Sequence, residues 1–429
     1  MPRPLRQLDD SPPGPPPWLP LAWFACALVW LLLGGLGLIR IAPQLAGGNL
    51  YSPHVFAVTH ALTLGVLASA IFGALHQFIP VVLGVPLRFP RIAILGFWFS
   101  QLGTASLVGG FWRWDVTLQA AGWMLLFLAV GCASWNVLPA RRRAAGNRVV
   151  GGFVSLGHSA LGVAMFIALA RIGQGLGWWQ VSREGLLVAH LHLGLVGFGS
   201  LTVVGIGSKM LPAFLKARVE PDPFAFIRIG WFAAIGLTAL SVGTIWRVSL
   251  LTSLGGLLTL FAVVQHLAVM AAYWRGVGVS RPDPALGFIA AAILWYAATA
   301  ALGSWILVRR PEDGRLWAAY VLAGVLGWLI HLIVGVLHRI GPRLMANLLA
   351  ARGRTLRPIQ GRAQVPWPTL SWLGLAAMAV GTTTLTIAVA MGSGETAQRA
   401  AWLLTIGIVA VAIQAIAVAA WLRNRAPSP

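Results

Sequence analysis

HLHLGLVGFGSLTVVGIGSKMLP, residues 190–212, is the stretch on which the fold turns. It is apolar, glycine-rich and free of charge until Lys209. A run of about 20 such residues crosses the hydrocarbon core of a bilayer as a helix. His190 and His192 stand at its start. Residues i and i+2 of an α-helix point about 200° apart, so these two imidazoles serve opposite sides of one helix and cannot share one metal. An ionisable side chain inside a span is costly and marks a functional site by default.

The stretch recurs twice. Residues 60–80 read HALTLGVLASAIFGALHQFIP, and residues 322–342 read LAGVLGWLIHLIVGVLHRIGP. Aligned on the closing Pro80, Pro212 and Pro342, all three carry Gly fifteen residues earlier, at Gly65, Gly197 and Gly327. His60 and His192 both precede their proline by twenty residues, where the third copy has Leu322. Four residues before the proline stand His76, Ser208 and His338. The pattern predicts three pseudo-repeats of four helices. Equal spacing from a common landmark, at 1.5 Å per residue, puts His60 and His192 at one depth.

Composition agrees. The chain has 429 residues, 58% hydrophobic and 10% charged, and a mean hydropathy of +0.81. About twelve spans are expected, near 18–39, 54–83, 91–110, 117–138, 149–170, 187–212, 225–246, 250–273, 285–308, 317–342, 368–391 and 400–421. The fold class is therefore an all-α polytopic membrane protein. A Pro-rich arm at 1–17 precedes one membrane domain at 18–422, and a short tail follows at 423–429.

The net charge of +21 does not imply nucleic acid. With the N-terminus in the cytoplasm, Arg88, Arg91, Arg141 to Arg143, Arg148, Lys216, Arg218, Arg275, Arg281, the run Arg343 to Arg362, Arg423 and Arg425 all fall on the cytoplasmic side. That is the positive-inside bias of a bacterial inner membrane protein with both termini inside. No aromatic-and-basic loop platform for a nucleic acid is present. Cys26 and Cys132 lie in predicted spans and read as small apolar residues. No Cys-x-x-Cys-His attaches a haem covalently.

Two neutral imidazoles at one depth on neighbouring helices suit a bis-histidine haem, with small residues such as Gly65, Ala68, Gly194, Gly197 and Gly199 giving room. The segment from His190 to Pro212 resembles the haem-binding helix of haem–copper oxidase subunit I, especially its cbb-type branch. The ending Gly335-Val-Leu-His338-Arg-Ile-Gly-Pro342 resembles the same motif. The His60-Ala-Leu-Thr segment resembles the NnrS-type membrane haem proteins, which have similar size and helix count. The resemblance implies a low-spin haem b on His60 and His192, and a second, high-spin haem on His190. In the oxidases the His-x-His lies on the tenth helix, whereas here it is on the sixth. The third, seventh and eleventh spans contain no His, so copper is not expected, and no intramembrane carboxylate offers the alternative iron site of nitric oxide reductases.

Propionates need donors near the outer face. Arg113 and Arg247 end the third and seventh spans, and a guanidinium fork suits a carboxylate. The resemblance favours Arg247. Arg183, Arg309 and Arg310 are outer alternatives. His76 and His338 share a depth near the cytoplasmic end, where an inner haem or metal between the second and tenth spans is conceivable. His158, His266 and His331 read as bonded core residues, and His54 as exposed. Three functions fit: a b-type cytochrome passing electrons to or from a redox partner subunit, a haem enzyme or gas-responsive protein acting on nitric oxide or oxygen, and a transporter or metal handler.

Overall fold

The computed structural model describes residues 15–83, 87–143, 148–175, 177–178, 182–219, 222–278, 283–354 and 367–425. Most of the expected arm (residues 1–14), the last residues of the tail (426–429), Arg281 and the basic run beyond residue 354 lie outside them.

Twelve helices are long and apolar enough to cross a membrane. We number them α1 Trp18–Ala46, α2 Pro53–Phe78, α3 Pro90–Arg113, α4 Val116–Pro139, α5 Arg148–Gln174, α6 Arg183–Leu215, α7 Pro223–Ile245, α8 Ser249–Arg275, α9 Pro284–Arg309, α10 Gly314–Ala350, α11 Pro368–Ala390 and α12 Gly394–Asn424. No strand occurs among the described residues. The helices overrun the expected spans at most ends, because hydropathy marks the apolar centre while caps set the termini. The scarce acids do much of this capping. Asp222, Asp283 and Asp313 each accept a backbone N–H at the start of α7, α9 and α10. Asp115 does the same for the first turn of α4 through Thr117 and Leu118. Each satisfies an otherwise orphaned helix donor.

The repeat is visible in the packing. In the first and third units, Gly65 of α2 lies under Trp30 of α1, and Gly327 of α10 lies under Trp295 of α9. Gly197 of α6 lies against Ala160 of α5. A Cβ at any of the three would come within 2.4–2.5 Å of that neighbour. Eight residues further on, Gly73, Gly205 and Gly335 meet the side chains of Trp23, Phe153 and Phe288, themselves seven residues before Trp30, Ala160 and Trp295. Each unit thus packs its second helix onto its first in one register. The other two helices of each unit form a tight hairpin over glycines seven residues apart. These are Gly103 and Gly110 in α3, Gly236 and Gly243 in α7, and Gly374 and Gly381 in α11. Small residues let helices approach closely where lipid offers no hydrophobic drive.

Each second helix also widens into a π-helix for one eight-residue segment: Ala61–Ala68, Leu193–Ser200 and Ala323–Ile330. All three begin nineteen residues before the closing proline. The wider turn is braced by a polar side chain at its end that bonds a leucine carbonyl five residues back. Ser69 bonds Leu64, Ser200 bonds Leu195, and the ring N–H of His331 bonds Leu326. Segments of π-helix concentrate at functional sites. These three start directly after His60, His192 and Leu322.

The largest apolar core gathers residues of α1, α2, α10 and α12, with contributions from α6, α8, α9 and α11. It places α2, α6 and α10 inside the bundle and leaves apolar faces such as Trp98, Trp135, Phe166, Trp231 and Leu294 exposed, as a lipid-facing surface requires. Below, the end where α2, α6 and α10 begin is the histidine end, and the other is the proline end.

Candidate functional site

The two imidazoles of the His-x-His pair do face opposite sides of α6. His190 turns toward α2 and α5. Its Nδ1 donates to the Ala164 carbonyl of α5 at 2.9 Å. His192 turns toward α10, where its Nε2 accepts from the Tyr320 hydroxyl at 3.2 Å. The Nδ1 of His192 donates to Val188 O at 2.8 Å, one turn back. A carbonyl oxygen can only accept, so Nδ1 carries the proton in both rings and Nε2 presents a lone pair.

His60 is held the same way. Its Nδ1 donates to Phe56 O at 2.8 Å, and Phe111 of α3 stacks on its ring at 4.8 Å. The ring it approaches is that of His190, with centroids 6.3 Å apart and planes inclined by 34°. The expected partner was His192. The structure instead aims His192 at Tyr320, with ring centroids 5.8 Å apart.

The repeat explains this pairing. His60, His192 and Leu322 sit twenty residues before their prolines. Val58, His190 and Tyr320 sit twenty-two before them. The first position of one unit meets the second position of the next. The α2–α6 contact is therefore His60 with His190, and the α6–α10 contact is His192 with Tyr320. At the remaining junction the same two positions hold Leu322 and Val58, both buried in the apolar core. One sequence rule yields a His–His contact and a His–Tyr contact.

The His60 and His190 rings are spaced as two imidazoles that share one metal would be. With metal–nitrogen bonds of about 2 Å, two imidazoles on one metal have ring centroids roughly 6 Å apart. Both rings have Nδ1 tied to a backbone carbonyl, the arrangement that fixes a ligating tautomer. One turn beyond His190, a Cβ added at Gly194 would meet nothing within 4 Å, so that face of α6 has room beside the ring. Among the described residues no group of three or more His, Cys, Asp or Glu side chains could hold a bare metal ion. Two imidazoles alone could hold only a group that brings its own equatorial donors.

Cations stand at the histidine end of the same junction. Arg183, at the start of α6, lies over the Tyr51 ring at 5.9 Å. Partial burial pushes the Tyr51 hydroxyl up, with help from Glu184 and against the pull of Arg183 and Arg171. Arg171 is two helical turns from Ala164 on α5. It was not anticipated from sequence, where nothing but its distance from a helix end marks it. Of the expected donors, Arg247 follows α7 with a left-handed backbone (φ 58°) and bonds Ser182 Oγ at 3.4 Å, and Arg113 ends α3.

His76 and His338 are not brought together. His76 stacks on Trp23 of α1 at 6.1 Å and His338 lies by Phe288 of α9 at 5.2 Å. Each packs on the first helix of its own unit, so the structure offers no inner site shared by these two. His158 and His331 bond backbone carbonyls as core residues do. His266 is buried between Phe226 and Tyr296. His54 is half-buried edge-on against Trp112 at 4.6 Å rather than exposed. Tyr320 and Phe111 are site residues that sequence reasoning missed. Tyr320 was legible in principle, since it holds the register of His190 in the third repeat.

Comparison of the chain with protein-family models and with curated proteins gives no match.

Proposed function

We propose that this chain is a b-type membrane haem protein that carries electrons through one low-spin haem held by His60 and His190. The observation that carries the reading is the pair of rings 6.3 Å apart, each with Nδ1 donating to a carbonyl. The haem would supply reversible one-electron transfer between iron states. The protein's part is to hold Nε2 of both rings as lone-pair donors and to fix their planes, with Phe111 stacked on one side of His60. Arg171 and Arg183 offer guanidinium forks for propionates at the same end.

His192 supports one haem rather than two, because its Nε2 is engaged by Tyr320. That favours an electron carrier over an enzyme acting on nitric oxide or oxygen. The charge distribution supports a bacterial inner membrane, with both termini and the proline end cytoplasmic and the haem in the outer half. The electron donor and acceptor would be other chains.

The test is a reduced-minus-oxidised and pyridine-haemochrome spectrum of the purified protein, with carbon monoxide added to the reduced form. Sharp low-spin bands of a b-type haem that ignore carbon monoxide support the proposal. A carbon monoxide response favours an enzyme or gas sensor. No haem, after expression with iron and haem precursor, rejects the proposal.

A further inference from the structure

Where α2, α6 and α10 face one another toward the proline end, the packing leaves a partly open cavity of about 90 Å³. Its lining includes Ala74 of α2, Ile206, Gly207 and Met210 of α6, and Leu332 and Val336 of α10. Every side chain around it is apolar. The site is distinct from the histidine pairs, since it lies beyond the π-helical segments. A second observation agrees with the void: a Cβ added at Gly207 would meet nothing within 4 Å, whereas Gly205, two residues earlier, lies against Phe153 at 2.5 Å.

Native interiors are packed nearly as densely as organic crystals, so a void of this size is unusual. Water gains nothing there, because a buried water needs two to four polar partners and the lining provides none. An engineered apolar cavity of about 150 Å³ stays dry and takes up benzene or xenon. The cavity here is smaller than that and larger than the share of liquid volume of one water, about 30 Å³. That size admits a diatomic molecule or a single large noble-gas atom.

We propose that this axial cavity is a binding site for one small, neutral, apolar molecule of the size of a diatomic gas. Glycine at 207 and alanine at 74 keep the space open. The assignment rests on the cavity alone and stands whether or not the chain binds haem.

Xenon is the probe. Full-length protein is examined under xenon pressure by crystallography, and in detergent by 129Xe exchange. The expected result is a xenon atom between α2, α6 and α10 that is lost in Gly207→Leu, whose side chain grows into the void. Helicity by circular dichroism shows that this variant is folded. Ala74→Val, which narrows the same space from α2, serves if it is not. The proposal is overturned if the wild type takes up no xenon there. It is overturned equally by ordered water, by a lipid or detergent chain that xenon does not displace, or by a signal that survives both substitutions.

Discussion

Gly65→Ala should destabilise the protein far more than an alanine usually does. The added Cβ would stand 2.4 Å from Trp30 Cγ, 2.6 Å from Cδ2 and 2.7 Å from Cβ. Carbon pairs rest at about 3.5–4.0 Å, so the indole and the π-helical segment must part by roughly 1 Å. Trp30 cannot swing freely. Its Nε1 donates to Gln101 Oε1 at 3.2 Å, Gln101 Nε2 donates to Ser69 Oγ at 3.0 Å, and Ser69 braces Leu64 O. Overpacking costs about 1–3 kcal/mol, and a lost internal hydrogen bond adds about 1 kcal/mol. The expected loss is about 2–4 kcal/mol. Gly327→Ala meets Trp295 at the same distance and should match it. Gly131→Ala on α4 meets nothing within 4 Å and should be neutral or slightly stabilising through helix propensity. Thermal unfolding of the three variants in one detergent checks the order. Equal melting temperatures for Gly65→Ala and Gly131→Ala would refute the argument and the close approach beneath it.

Other outcomes follow from single contacts. Tyr320→Phe removes the hydroxyl that donates to His192 Nε2 and should cost about 1–3 kcal/mol. It should leave the haem bands of the purified protein unchanged. Asn136→Leu removes a side chain that binds both N and O of Phe89 ahead of α3. It should lower the melting temperature by the equivalent of about 2 kcal/mol, with no effect on any spectrum. Hydrogen bonds from the Arg315 side chain and backbone hold the Asp313 carboxyl below the usual carboxylate range. A depressed folded-state pKa contributes stability that is present above the unfolded value, about 3.9, and is lost as pH falls below it. The pair is at the surface, so the effect is small. Melting temperatures measured downward from pH 5 should show a shallower acid-side fall in Asp313→Asn than in the wild type.

The spans were legible because lipid demands long apolar helices, and runs such as 250–273 leave no other reading. The repeat was legible because Gly65, Gly197 and Gly327 keep register with their prolines. The pairing of histidines was not. Equal depth made His60 and His192 look like partners. Residues related by a rotation all point the same way around the axis, however, so neighbouring units meet through two different patches. The residue facing His60 therefore had to come from a different register, and it is His190. The π-helical segments left no mark either, since glycine and leucine are common throughout such helices. The aromatic and arginine neighbours, Phe111 and Arg171, depend on how α3 and α5 pack around α2, which no local pattern records.

The central claim is that one haem sits between His60 and His190. The direct measurement is the haem-to-protein ratio and low-spin spectrum of His60→Ala, His190→Ala and His192→Ala, purified alongside the wild type. The account predicts that the first two lose the low-spin bands and that His192→Ala keeps them. Loss of the bands in His192→Ala with their retention in His190→Ala would contradict it.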